Sequence, residues 1–527
     1  MSALASHPGT APRWRGLLLL AGLGLFAVFL ALPAPAGLSP AGWHAAAVAL
    51  LMALWWITEA LPLAVTSLLP LVLFPALGIL PSRQIAHEYA NHLVFLFLGG
   101  FFIAIAMERW GLHRRLALGL VTRVGTQPRR LVLGFLLASA FLSAWVSNTA
   151  TTLMLLPIAM AVVSTLANHA ASDGCEGGED GGANREDLRT TLGPILMLAL
   201  AWGAGVGGIA TLVGTPPNIV LAGQVHELFP DLAEIGFGRW MLLGVPISIT
   251  MLVVAYFVLI YWGARGRLGP SGQAIGGREV LLEQRQALGR TGEGERKVLG
   301  IFLVTVLLWL TRQSLQLGFV RIPGWSGLLP QPGFVHDATV AIAASITLFA
   351  LRAERPDSGA REPLLDWESA RAHTPWGILL LFGGGFALAA GFRASGLADW
   401  IGNQLVGLRG VPIPVVMMFT SIVAMGLTEV TSNTATSTLL MPILAAISTS
   451  LEAPPLLLMI PAALSASCAF MLPVATPPNA IVFGSGWISI REMARVGVVL
   501  NLIGVVVITG FVWWLAPLVF GVEGAGG

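Results

Sequence analysis

A polar string, Ser147-Asn148-Thr149-Ala150-Thr151, recurs 285 positions later as Ser432-Asn433-Thr434-Ala435-Thr436, and both copies lie in apolar surroundings. The same offset lays Gly99-Gly100-Phe101 on Gly384-Gly385-Phe386, Gly111-Leu112 on Gly396-Leu397, and Pro157-Ile158 on Pro442-Ile443. A second string, Thr215-Pro216-Pro217-Asn218, returns as Thr476-Pro477-Pro478-Asn479 at an offset of 261. A polar insertion over 168–189 fills nearly all of the difference; rich in Gly, Asp and Glu, it reads as a disordered loop and not as a site. A register held this long constrains the chain to fold as two related halves.

The solvent for those halves follows from composition. Hydrophobic residues make up 55% of the 527 and charged residues 11%, with a mean hydropathy of +0.79. A soluble chain of this length needs more charge to cover its surface, so the bilayer is the expected environment. A spanning helix takes about 20 apolar residues. Segments 17–32, 44–61, 92–107, 241–262, 298–310, 340–351 and 498–514 qualify, some only with their flanks. Segment 17–32 follows Arg13 and Arg15 but runs through prolines into another apolar stretch, so it is expected to stay as a first span and not to be cleaved. The net charge of +2 implies no nucleic-acid partner, and Cys175 and Cys468 imply no disulfide framework.

Arginine gives the topology. Clusters lie at 13–15, at 109–130, between Arg265 and Lys297, between Arg352 and Arg371, and at Arg491 and Arg495; the intervening loops are poorer. With the N-terminus cytoplasmic, eleven spans and an external C-terminus satisfy this alternation. Residues 109–130 hold six arginines, whereas the aligned 394–415 hold only Arg409, so the halves are expected to be inverted relative to each other. Inverted halves around a midplane site are a carrier architecture.

Each repeated string is a polar island, and an unpartnered polar group in hydrocarbon costs about 2–7 kcal/mol. Helix–helix adhesion explains one such island well, but two symmetric ones, each followed by a Pro-Pro break, less well. The prolines break the helix, and broken backbone at membrane depth lines cavities. Freed carbonyls can take a hard cation, and freed N–H groups at helix N-termini can take an anion. Ser143 and Ser147, like Thr428 and Ser432, are four apart; on a continuous helix their hydroxyls would share one face. No Arg or Lys is apparent among these residues, so a dianion would be held by dipoles and by co-bound Na⁺.

These strings resemble the divalent anion/sodium symporter family, the sodium-coupled di- and tricarboxylate carriers. The match is carried by Ser-Ala-Trp-Val-Ser-Asn-Thr-Ala-Thr-Thr from Ser143, by Thr428-Glu429-Val430-Thr431-Ser432-Asn433-Thr434, and by residues 472–484, within a resemblance running from about 43 to 514. It implies an all-α polytopic fold with two re-entrant hairpins, near 131–166 and 411–451, in a homodimer working by an elevator motion. By the same resemblance, 1–130 and 298–410 would be scaffold, 131–263 and 411–519 transport domain, 264–297 a cytoplasmic loop and 520–527 a tail. Ser147, Asn148, Thr149, Thr215, Ser432, Asn433, Thr434, Thr476 and Pro477 would contact substrate. One Na⁺ site would use Ser143, Ser147, Asn148 and Gly214; the other would use Thr428, Thr431, Asn433 and Ala475.

The expected activity is Na⁺-coupled movement of C4-dicarboxylates such as succinate, malate or fumarate across a bacterial inner membrane. Exchange of one dicarboxylate for another is the alternative, with sulfate and tricarboxylates behind both. No organic cofactor is called for. No nucleophile–base pair supports an enzyme, and channels usually repeat by subunit symmetry instead. Glu59 and Glu429 are acidic residues beside hydrocarbon, candidates for coupling or for orienting the chain. The nine histidines are scattered and form no His-Glu-x-x-His, which argues against a zinc site.

Overall fold

The computed structural model describes residues 13–173, 180–264, 277–317, 320–355, 359–404, 407 and 410–521. Helices dominate. Among the described residues, seven are long and apolar enough to cross a membrane: Pro40–Thr58, Ser82–Arg109, Asn148–Leu166, Thr191–Ile209, Phe237–Gly263, Trp376–Ser395 and Ile490–Phe520. Five shorter apolar helices accompany them. The all-α expectation needs one amendment. Leu315–Leu317 pairs antiparallel with Val320–Ile322, and Arg352–Glu354 with Arg361–Pro363, giving two small ribbons between helices.

Helix boundaries follow the sequence register. Pro128–Ser143 and Ile413–Thr428 start and stop 285 positions apart, and Asn148–Asp173 and Asn433–Ser450 start at that offset. Upstream, Gly111 and Gly396 occupy the same left-handed backbone region (φ 71° and 74°), turning His92–Arg109 into Leu112–Val124 and Trp376–Ser395 into Leu397–Gln404. A side chain there would be strained, which is why glycine holds both turns. Prolines begin Pro40–Thr58, Pro128–Ser143, Pro216–Leu228, Pro455–Ala466 and Pro477–Gly484, where their missing N–H leaves no helical bond unmade.

Two hairpins result. The first joins Pro128–Ser143 to Asn148–Asp173, and the second joins Ile413–Thr428 to Asn433–Ser450. Each packs against a broken helix: Asp180–Ile209 followed by Pro216–Leu228, and Pro455–Ala466 followed by Pro477–Gly484. The first packing is unusually close. A Cβ on Gly203 would stand 2.6 Å from the Leu136 carbonyl oxygen, and one on Gly207 would overlap Ala140.

The segment 168–189, expected as a disordered loop, is helical at both ends. One helix runs on to Asp173, and the next begins at Asp180. Cys175 lies outside the described residues. Within the expected loop 264–297, Gly277–Gln286 is a helix that buries Leu281. The arginine-rich end is tied by ion pairs: Arg109 to Glu362 (2.9 Å) and Asp366, and Arg115 to Glu295 (2.9 Å).

Candidate functional site

The breaks in both hairpins and both broken helices open on one cavity of about 900 Å³. Ser147, Asn148, Thr149, Thr215, Ser432, Asn433, Thr434, Thr476 and Pro477 all line it, as do Gly214, Thr431 and Ala475. Ser143 and Thr428 lie just behind the wall, fully buried.

Four helices begin at this cavity, at Asn148, Pro216, Asn433 and Pro477. Each helix start carries roughly +0.5 of an elementary charge. Together the four make the cavity positive without any ionised side chain, as an anion requires, although Pro216, Pro217, Pro477 and Pro478 bring no N–H of their own. Hydroxyl and amide groups of the two Ser-Asn-Thr strings add hydrogen-bonding groups suited to carboxylate oxygens.

Behind each string three oxygens converge. The Ser143 hydroxyl faces both Asn148 Oδ1 and the Ala204 carbonyl (2.6 Å). The Thr428 hydroxyl faces both Asn433 Oδ1 (2.6 Å) and the Ala466 carbonyl (2.7 Å). One hydroxyl proton shared between two acceptors leaves each cluster rich in oxygen lone pairs, the donor set a hard cation prefers. The four-residue argument needs correction here. Helices end at Ser143 and at Thr428, so Ser147 and Ser432 fall in the breaks and the partner lies five residues on, at Asn148 and Asn433. Thr431 turns its hydroxyl to Thr436 (2.6 Å) and to the Leu427 carbonyl (2.8 Å).

The Pro-Pro-Asn strings hold the breaks open in matching ways. Asn218 Nδ2 donates to the carbonyls of Gly208 (3.1 Å) and Thr211 (2.7 Å). Asn479 Nδ2 donates to Ala469 (3.0 Å) and Leu472 (3.0 Å), the same positions shifted by 261. Each amide satisfies two carbonyls left open where the preceding helix breaks off.

The halves differ at one fastening. In the first, the Thr211 hydroxyl donates to the Ala144 carbonyl (2.5 Å). In the second, Glu429 replaces it. Its carboxylate accepts from the backbone N–H of Phe470 (2.9 Å), Met471 (3.0 Å) and Leu472 (3.1 Å), and from Asn501 Nδ2 (2.6 Å). So many donors fix Glu429 as an anchor between the second hairpin and its broken helix.

Of the other residues at the cavity, Glu59 was a candidate from sequence and the rest were not. Arg15 lines it, correcting the expectation of a site without arginine. Glu59 lines it too, held left-handed (φ 48°) where Pro40–Thr58 ends. Phe97, Phe101, Trp145, Ile378 and Leu381 form apolar wall. The carbonyls of Ala204 and Ala466 had no signal, because any residue carries one. Nor did the histidine cluster: His92, Glu234 and His336 meet away from this cavity, with ligand atoms within 4.8 Å of one another.

Comparison with known proteins agrees with this architecture. Residues 13–520 match the family model described as the sodium:sulfate symporter transmembrane region. A sodium-dependent dicarboxylate transporter, SdcS, of Staphylococcus saprophyticus is 41% identical over 505 residues, covering 96% of this chain and 92% of that protein. SdcS of Staphylococcus aureus NCTC 8325 is 42% identical over 516 residues, covering 98% and 94%. Among solved structures, Neisseria gonorrhoeae MtrF, described with antimetabolite efflux pumps, overlays with a TM-score of 0.52 at 13% identity, covering 95% of this chain and 94% of MtrF. The Alcanivorax borkumensis YdaH transporter overlays with a TM-score of 0.50 at 13% identity, covering 95% and 97%. These two share the fold alone. With a family match along almost its whole length and the Ser-Asn-Thr strings set on paired hairpins, the chain belongs to the divalent anion/sodium symporter family.

Proposed function

We propose that this protein is a secondary carrier that moves C4-dicarboxylates together with Na⁺ across a bacterial inner membrane. The observation that carries the reading is the convergence of four helix N-termini on one cavity, backed by two three-oxygen clusters. A cavity made positive by four helix starts suits a carboxylate substrate. The oxygen clusters suit an alkali cation that binds beside them and is released with the substrate. The names of the SdcS relatives supply independent support for both ion and substrate class.

Substrate would touch Ser147, Asn148, Thr149, Thr215, Ser432, Asn433, Thr434, Thr476 and Pro477. One Na⁺ would sit with Ser143, Ser147, Asn148 and Gly214, joined by the Ala204 carbonyl. The second would sit with Thr428, Thr431, Asn433 and Ala475, joined by Ala466. Matching helix limits and matching Asn218 and Asn479 bonds support two inverted-topology repeats. The close packing of each hairpin on its broken helix supports their travelling together as a transport domain in an elevator cycle, against a scaffold that holds a homodimer. Eleven spans, a cytoplasmic N-terminus and an external C-terminus complete the reading.

Labelled succinate uptake into proteoliposomes tests it. Uptake against a gradient only with inward Na⁺ is the expected result, with Asn148→Ala and Asn433→Ala inactive. Uptake only into succinate-preloaded vesicles, indifferent to Na⁺, would make the protein an exchanger.

A further inference from the structure

At the arginine-poor end of the molecule three separate segments meet. His92 begins the helix whose other end is Arg109. Glu234 lies in 229–236, which links Pro216–Leu228 to Phe237–Phe257. His336 caps Asp337–Ala350.

We propose that His92, Glu234 and His336 form a divalent transition-metal site, suited to Zn²⁺, that clasps these three segments. Two imidazoles and a carboxylate are a recurrent zinc donor set, with bonds near 2.0–2.1 Å. Tetrahedral ligands on such bonds stand roughly 3.3 Å apart. His336 Nδ1 and Glu234 Oε2 already stand at 3.3 Å, and all three ligand atoms fit within 4.8 Å. His92 Nε2 is buried with no hydrogen-bond partner among the described residues. An orphaned nitrogen in this position is costly unless something fills it.

The surroundings prepare the carboxylate. Arg312 binds Glu234 through Oε1 (3.0 Å) and so orients Oε2 toward the histidines. Gln313 shares Oε2 (3.2 Å), and Asp337 holds Arg312 from its other side (2.5 Å). His226 packs edge-on to His92 (5.4 Å between ring centres) and is the remaining titratable neighbour.

Glu234 follows directly on the broken helix that begins at the substrate cavity, whereas His92 and His336 begin helices assigned to the scaffold. On the elevator reading above, on which this consequence rests, a bound metal joins moving and static parts and slows turnover.

The test uses purified, tag-free protein titrated with ZnCl₂ by calorimetry, with zinc X-ray absorption on the same sample. One equivalent per chain with nitrogen and oxygen neighbours near 2.0–2.1 Å is expected. His92→Gln and His336→Gln should each weaken binding at least tenfold. Zinc should also slow succinate uptake by the parent protein and leave His336→Gln unaffected. Equal zinc binding by parent and both variants, or none by the parent, overturns the site. Binding is read without transport, so this failure is distinct from failure of the carrier reading.

Discussion

The Thr428 hydroxyl, with one proton and two oxygen neighbours, shows how single residues carry this site. Thr428→Val keeps the shape and removes one oxygen. It should raise the Na⁺ concentration for half-maximal uptake about tenfold, equivalent to about 1.4 kcal/mol, with little change in fold. Ser143→Ala should act the same way on the first cluster, and Na⁺-dependent succinate uptake reads both. Glu429 is a different case, because it accepts four hydrogen bonds while buried. Glu429→Gln turns a donor toward backbone N–H groups and should cost about 2–4 kcal/mol, visible as a lower unfolding temperature in detergent. A glutamine that melted like the parent would show that the carboxylate is not the anchor. The sequence marked Ser143, Thr428 and their asparagines because their side chains are distinctive. It could not mark Ala204 or Ala466, which act through backbone oxygen alone.

At the scale of elements, the register of the repeats reaches to helix ends. The limits of Pro128–Ser143 foretell those of Ile413–Thr428 to the residue. The hairpins expected near 131–166 and 411–451 came within a few residues of the observed starts at Pro128 and Ile413, because Pro, Gly and Asn set helix boundaries locally, but the run of the first hairpin on to Asp173 was not foreseen. Contacts between elements far apart in sequence were not legible. Arg15 reaches the cavity and His92 meets His336 only because the fold folds back, and no local pattern encodes either meeting. The Arg312 cluster is such a contact as well. Arg312 is buried between Asp337 and Glu234, so Arg312→Met strands two carboxylates and should destabilise by about 3–5 kcal/mol. Acid should have a related effect. The folded Glu234 pKa of about 2 lies below the unfolded value near 4.3. Its stabilisation is therefore full above about pH 4.3 and is lost as pH falls toward 2. Thermal unfolding across that range should show the loss in the parent and a smaller one in Glu234→Gln.

Across the whole molecule, two hairpins of one design meet at one cavity, yet they are not fastened alike. A threonine hydroxyl on a carbonyl secures the first, and a buried glutamate side chain with four hydrogen-bond donors secures the second. Symmetry of shape thus coexists with asymmetry of bond strength. On the proposed elevator reading both fastenings ride inside the moving unit, so neither is made or broken as it travels, and the second half of the site is simply held the more stiffly of the two. Weakening the stiffer half with Glu429→Gln should then raise the half-saturation constant for succinate to a similar extent from either side of the bilayer, as read in vesicles of known orientation.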